Sequence, residues 1–154
     1  SFTGLRIAVG VVQGLAYGAG LSVIPVSSMA VLAQSQITHD GPIFVALSAR
    51  LEEIYYGSYT VIDGFVSLLA PEGVKDVSTL EPLPAENWHL ITDVPALESK
   101  IASSLDVAFS SVTTNTVPQV NDLLLIGRNR FDLGMVVSAL EASPVYLREQ
   151  VTDT

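Results

Sequence analysis

Residues 1–39 hold a single charged side chain, Arg6, and no carboxylate, while all sixteen acidic residues lie between Asp40 and Asp153. Ser1 or Thr3 is placed to cap a helix running to about Ala19, with Gly18 and Gly20 as stop signals. At about 100° per residue, Leu5, Ala8, Val11, Val12, Leu15 and Ala19 fall on one side of that helix. Arg6, Gln13 and Tyr17 fall on the other, in a polar sector only about 40° wide. A surface helix needs an apolar stripe of about 100°, so this one offers more apolar surface than one sheet covers. Gly10, Gly14 and Gly18 recur every four residues. Each costs about 1 kcal/mol of helix propensity, which a sequence accepts when something packs closely there. Two occupants remain open: another helix of the same chain, or a partner protein, since both follow the same packing rules.

The rest of the chain bounds its chemistry. Its 154 residues suit one ordinary domain or two small ones with a real core. With hydrophobic residues at 49% and charged residues at 15%, disorder is not expected. Seven basic residues against sixteen acidic ones give a net charge of −9, which repels a phosphate backbone. Any involvement with RNA would need a partner to supply positive charge. Cysteine is absent, removing disulfides, thiol catalysis and thiolate metal sites and leaving the cytoplasm as the compartment expected. No signal peptide is visible, and Arg6, Gln13 and Pro25 interrupt the only long apolar run, so no membrane span is expected.

Leu21 to Val26 reads as a buried β-branched strand, and Ser27 caps a second helix to about Ile37, with Met29, Val31, Leu32 and Ala33 on its apolar side. Asp40-Gly41-Pro42 is a turn. Ile43 to Ala49 is a continuous apolar run, as in a central strand, and Glu53 to Ile62 is a second strand holding Tyr55, Tyr56 and Tyr59. Phe65 to Leu69 extends the meander, and Ala70 to Glu86 reads as a connection. Trp88 to Thr92 is a strand and Pro95 to Ser104 a helix. Asp106 to Val112 is ambiguous, and a helix starts at Val117 or Asn121 and ends near Phe131. Val120, Leu124, Gly127 and Phe131 lie on one side of it. A tail, Ser138 to Val151, closes the chain. This order is α/β grammar.

No catalytic constellation assembles. His39 and His89 are the only histidines, and neither has a ligand at metal spacing. His39 reads as a solvated helix end and His89 as a strand residue. Glu52 and Glu53 are adjacent and point to opposite faces of a strand, so they are not an acid/base pair. Nucleophile elbow, Ser-x-x-Lys and P-loop motifs are missing. Gly18-Ala19-Gly20 follows a helix rather than a strand, and is a helix stop. Arg50, just after an apolar strand, is expected to pair with a nearby carboxylate. The three tyrosines read as sheet residues rather than a base-stacking platform.

Three stretches carry a resemblance. Ser1-Phe2-Thr3-Gly4-Leu5-Arg6-Ile7, with Gln13-Gly14-Leu15-Ala16 and Ile24-Pro25-Val26-Ser27-Ser28-Met29, resembles the second helix, strand and third helix of the TsaB family, formerly YeaZ. Ala49-Arg50-Leu51-Glu52-Glu53-Ile54-Tyr55 resembles its Asp-Ala-Arg-x-x-Glu-Val-Tyr strand pair. Ala142-Ser143-Pro144-Val145-Tyr146-Leu147-Arg148 resembles its C-terminal signature. The resemblance implies an actin-like, RNase H-like two-lobed α/β fold. It implies a cytoplasmic role in making N6-threonylcarbamoyladenosine in tRNA, as a non-catalytic subunit beside a TsaD-type catalytic paralogue and a TsaE-type ATPase. tRNA would be met only through that complex, and a homodimer is the other assembly implied.

The contact, in this reading, uses the first helix, with Arg6, Gly10, Gln13, Gly14 and Tyr17 as partner-interface residues and no catalytic, metal or cofactor site. TsaD-like relatives carry a His-x-x-x-His pair where this chain has Ser28 and Leu32, so metal chemistry is not carried over. The Asp before Ala-Arg is Ser48 here. The chain opens where the family's strand hairpin and first helix should have passed, so an incomplete N-terminal lobe is expected. Residues 1–42 would be its remainder (helix, strand, helix) and 43–154 the C-terminal lobe, a mixed sheet with flanking helices. The rival readings are a metal-dependent peptidase or ATPase of the same superfold, and a homodimeric interaction protein with no tRNA role.

Overall fold

The computed structural model describes residues 2–148, with the backbone alone for Phe2. Four α-helices, α1 (Phe2–Ala19), α2 (Ser28–Gln34), α3 (Glu98–Leu105) and α4 (Val120–Asp132), accompany five strands. These are β1 (Ile43–Ser48), β2 (Glu53–Ile62), β3 (Phe65–Asp76), β4 (His89–Thr92) and β5 (Ser111–Thr114). They form one sheet in the order β3-β2-β1-β4-β5. The β1–β2 and β2–β3 pairs are antiparallel, and β1–β4 and β4–β5 are parallel.

The apolar run of β1 follows from its central place, because a strand covered on both faces has no solvent side to make polar. Its alternate residues feed two cores. Ile43 and Val45 join Tyr59 and Ile91 under α2 and Ile126 of α4. Phe44 and Ala46 join Trp88, Leu90, Ile101 and Leu105 on the α3 side. Residues 29–34 of α2 are all buried, so that helix is apolar all round rather than on one side. It belongs to the same core as the sheet that begins at Ile43. Ser27 caps it as expected, accepting from Met29 N at 3.2 Å, but it stops at Gln34 rather than near Ile37.

Three local readings are corrected. Leu21 to Val26 is not a buried strand: Val23 alone forms an isolated bridge, with Val137, and Leu21 is exposed. β-branched residues favour extended backbone, but a strand needs a neighbour to complete its ladder, and among the described residues none runs alongside. Ala70 to Asp76 continues β3, where a connection is expected. Pro71 is tolerated there because β3 is an edge strand and the register slips between Tyr56↔Gly73 and Ser58↔Ala70. Ser111 to Thr114 is a strand inside and beyond the ambiguous stretch. Ser1 and residues 149–151 of the expected tail lie outside the described residues, and Thr3 lies within α1 rather than capping it.

Candidate partner-binding surface

α1 ends in a Schellman pattern: Gly20 takes a φ of +65°, Gly20 N donates to Tyr17 O at 3.3 Å, and Leu21 N donates to Ala16 O at 2.9 Å. The helix turns its polar edge, not its apolar side, toward the rest of the protein. Arg6 Nε donates to the Tyr146 hydroxyl at 2.8 Å, and its guanidinium lies 5.6 Å from the centre of that ring. Gln13 Nε2 donates to Ala142 O at 2.6 Å. Ala16, one turn on, is the only α1 side chain buried among those described. The opposite stripe, Ile7, Val11 and Leu15, is 63%, 56% and 70% exposed.

The five residues expected to meet a partner are thus divided. Arg6 and Gln13 hold the helix to its own C-terminal segment. Gly10 and Gly14 lie open, with nothing within 4 Å of where a Cβ would stand, and Tyr17 is exposed. No helix among the described residues fills the glycine positions, so that occupant is not the one seen. Ile7 was legible from its spacing with Val11 and Leu15 but falls outside the expected apolar side. The apolar surface continues past Pro25, where Ile24, Val26, Leu123, Leu124, Gly127 and Phe131 line a shallow groove of about 420 Å³ together with Arg128. Leu124 and Phe131, expected to pack, face this groove, and Ile126 is the α4 residue that reaches the core.

The other candidate residues are structural, with two corrections. His39 is not a solvated helix end. It stacks on buried His89 with ring centres 3.9 Å apart. His89 Nδ1 lies 2.6 Å from Ser111 Oγ and Nε2 lies 3.0 Å from Thr113 Oγ1. Burial first, and then the neighbouring His39, push the His89 imidazole down to about 4. Arg50 makes no ion pair among the described residues. Glu52 pairs with Lys100 and Glu53 with Arg148, so adjacent carboxylates do diverge as a strand demands.

Tyr59 is buried and donates to Glu72, which also accepts from Ser27 Oγ at 2.5 Å. Burial, then that hydrogen bond, hold the Tyr59 hydroxyl far above the ordinary phenol range. Its ring lies across Gly57, where a Cβ would come within 2.9 Å of it. Ser48, standing where the family pattern has Asp, donates Oγ to Asp93 at 2.9 Å. Ser28 is exposed and Leu32 is core. Among the described residues no three metal-capable side chains lie together, and no helix is long and apolar enough to cross a membrane.

Comparison with known proteins places this architecture. The family model described as "TsaD: tRNA N6-adenosine threonylcarbamoyltransferase" matches residues 1–142. Among solved structures, YeaZ from Pseudomonas aeruginosa superposes with a TM-score of 0.82 at 30% identity, covering 96% of this chain and 69% of that one. A second Pseudomonas aeruginosa structure, described as similar to peptidase YEAZ, gives 0.84 at 30% identity over the same shares. The mixed sheet and its helices are therefore those of the actin-like, RNase H-like fold. The tRNA threonylcarbamoyladenosine biosynthesis protein TsaB of Escherichia coli K12 is 30% identical over 166 aligned residues, covering 98% of this chain and 68% of the relative. That of Haemophilus influenzae is 27% identical, covering 99% and 67%. The chain belongs to the TsaB/YeaZ family.

Proposed function

We propose that this chain acts in tRNA threonylcarbamoyladenosine synthesis as a non-catalytic scaffold that binds a TsaD-type paralogue through α1. The role follows the printed function of the TsaB relatives. The scaffold reading rests on one observation: α1 turns Ile7, Val11 and Leu15 to solvent and leaves Gly10 and Gly14 open. Continuous apolar surface of this kind marks an interaction site, and glycines let a partner backbone approach closely. In this proposal residues 1–42 and 43–154 are parts of two lobes, with α2 as the piece of the first that reaches over the sheet of the second. A TsaE-type ATPase joins the assembly, tRNA is met through the complex rather than by this acidic chain, and the work is done in the cytoplasm.

The test is capture of the TsaD-type paralogue from the same organism by wild type and by the Gly10→Leu, Gly14→Leu double variant. Loss of capture in a variant that keeps its unfolding midpoint is expected, because the two side chains would project into open space in the isolated chain. Undiminished capture would sink the reading.

A further inference from the structure

The turn between β1 and β2 holds two residues that the fold does not explain. Glu53 N donates to Arg50 O at 2.8 Å, which closes a turn whose first central residue is Leu51, at a φ of +53°. Positive φ at that position alone is the pattern of a II′ turn, where glycine leads. Leucine there carries steric strain from its Cβ. The same side chain is 104% exposed, so burial does not repay the strain. Strained backbone that packing does not require is a mark of functional sites.

Arg50 is the second. The other six basic side chains are all engaged: Arg6 with Tyr146, Lys75 with Glu81, Lys100 with Glu52, Arg128 with Asp132, Arg130 with Pro25 O and Arg148 with Glu53. Arg50 has no such partner among the described residues. Glu52, Glu53 and Asp76 line the same cleft of about 420 Å³ with it. Each is already occupied, Glu52 by Lys100, Glu53 by Arg148, and Asp76 by Ser78, whose N and Oγ donate to it at 2.8 and 2.6 Å. Arg50 is thus an uncompensated cation on a chain of net charge −9.

The turn also adjoins α1. Arg148, on the cleft wall, stands two residues, at most about 7 Å of extended chain, from Tyr146, which holds Arg6 of α1. The cleft and the N-terminal end of α1 therefore share one face of the molecule.

We propose that Arg50 and Leu51 form a second docking point for the partner that packs on α1. Leu51 enters an apolar socket on that partner, and the Arg50 guanidinium takes a carboxylate at the socket's rim. The inference rests on the partner reading above. A guanidinium suits this task because its planar fork grips a carboxylate through two hydrogen bonds. An apolar anchor beside an arginine is the composition of interface hot spots. The rest of this acidic surface would repel the same carboxylate, so Arg50 also sets the orientation of docking.

The experiment measures binding of the TsaD-type paralogue by calorimetry at low and high salt. It uses the full chain as wild type, Leu51→Gly, Arg50→Gln and the Gly10→Leu, Gly14→Leu variant, each with its unfolding midpoint. Leu51→Gly should weaken binding about tenfold while leaving the midpoint unchanged or raised, since glycine removes the strain. Arg50→Gln should weaken binding similarly and flatten its salt dependence. Wild-type affinity in both turn variants, or a lowered midpoint in Leu51→Gly, would overturn the proposal. If only the α1 variant loses binding, the turn falls and the α1 reading stands. If only the turn variants lose it, the reverse holds. No binding by wild type removes both.

Discussion

At the scale of single residues, His89 is the clearest case of identity legible and environment not. The sequence places it on a strand beside Trp88, but nothing local brings His39 onto its face or Ser111 and Thr113 to its two nitrogens, because those partners come from 22 to 72 residues away along the chain. The consequence is a pH dependence with a definite sign. The unfolded imidazole takes a proton near 6.5 and the folded one only near 4. Between those values the unfolded state binds more protons, so stability is complete above about 6.5 and falls as pH drops toward 4, by roughly 3 kcal/mol in all. The depressed carboxyls of Asp76, Glu81 and Glu141 lose their contribution only below the ordinary carboxylate range, about 4.5. Denaturant midpoints between pH 6.5 and 4.5 therefore report on His89. His89→Gln should remove most of that slope, and an unaltered slope would show that another group carries it.

At the scale of elements, helices came through better than strands. α1 and α4 were readable because spacing and caps are local, and the Gly20 stop is a one-residue signal. Ala70 to Asp76 was missed because Pro, Gly and acidic residues outweigh the pairing that β2 imposes on an edge strand. The reverse error, at Leu21 to Val26, came from taking propensity for pairing. α1 itself was read correctly as having a wide apolar arc, but which sector the protein would use was not readable. The structure uses the narrow polar edge, through Arg6 and Gln13. This makes a prediction about the helix alone. Since nothing lies within 4 Å of a Cβ at positions 10 or 14, Gly10→Ala and Gly14→Ala should each raise stability by about 0.5–1 kcal/mol. Chemical unfolding of the isolated chain checks it, and a destabilised alanine variant would mean that the chain itself packs there.

At the scale of the whole molecule, burial is unevenly distributed. Two cores sandwich β1 and β4, whereas α1 is held by Ala16, two side-chain hydrogen bonds and its C-terminal turn. Local stability follows such contacts. Amide hydrogen exchange should therefore find β1 and β4 protected to the level of global unfolding and the first turns of α1 exchanging by a cheaper local opening. Equal protection across both would show α1 to be part of the cooperative core. Mutational costs should divide the same way. Trp88→Ala, at a residue 2% exposed, should cost about 3–5 kcal/mol, and Val11→Ala on the open stripe less than about 0.5 kcal/mol.

What the sequence determined by itself was everything set by composition, short-range spacing and recognisable stretches: an α/β chain, a neutral glycine-spaced first helix, a central apolar strand, and membership of the TsaB/YeaZ family. These are legible because caps, periodicity and motifs act within a few residues. Only the tertiary structure decided that α1 faces outward, that Arg50 stands without a partner beside a strained leucine, and that the segment around Tyr146 joins the two. Those properties depend on which distant groups meet, and on which carboxylates other cations have already taken. Pairing of that kind is settled by the packing of the whole sheet and its helices, not by neighbours in the chain.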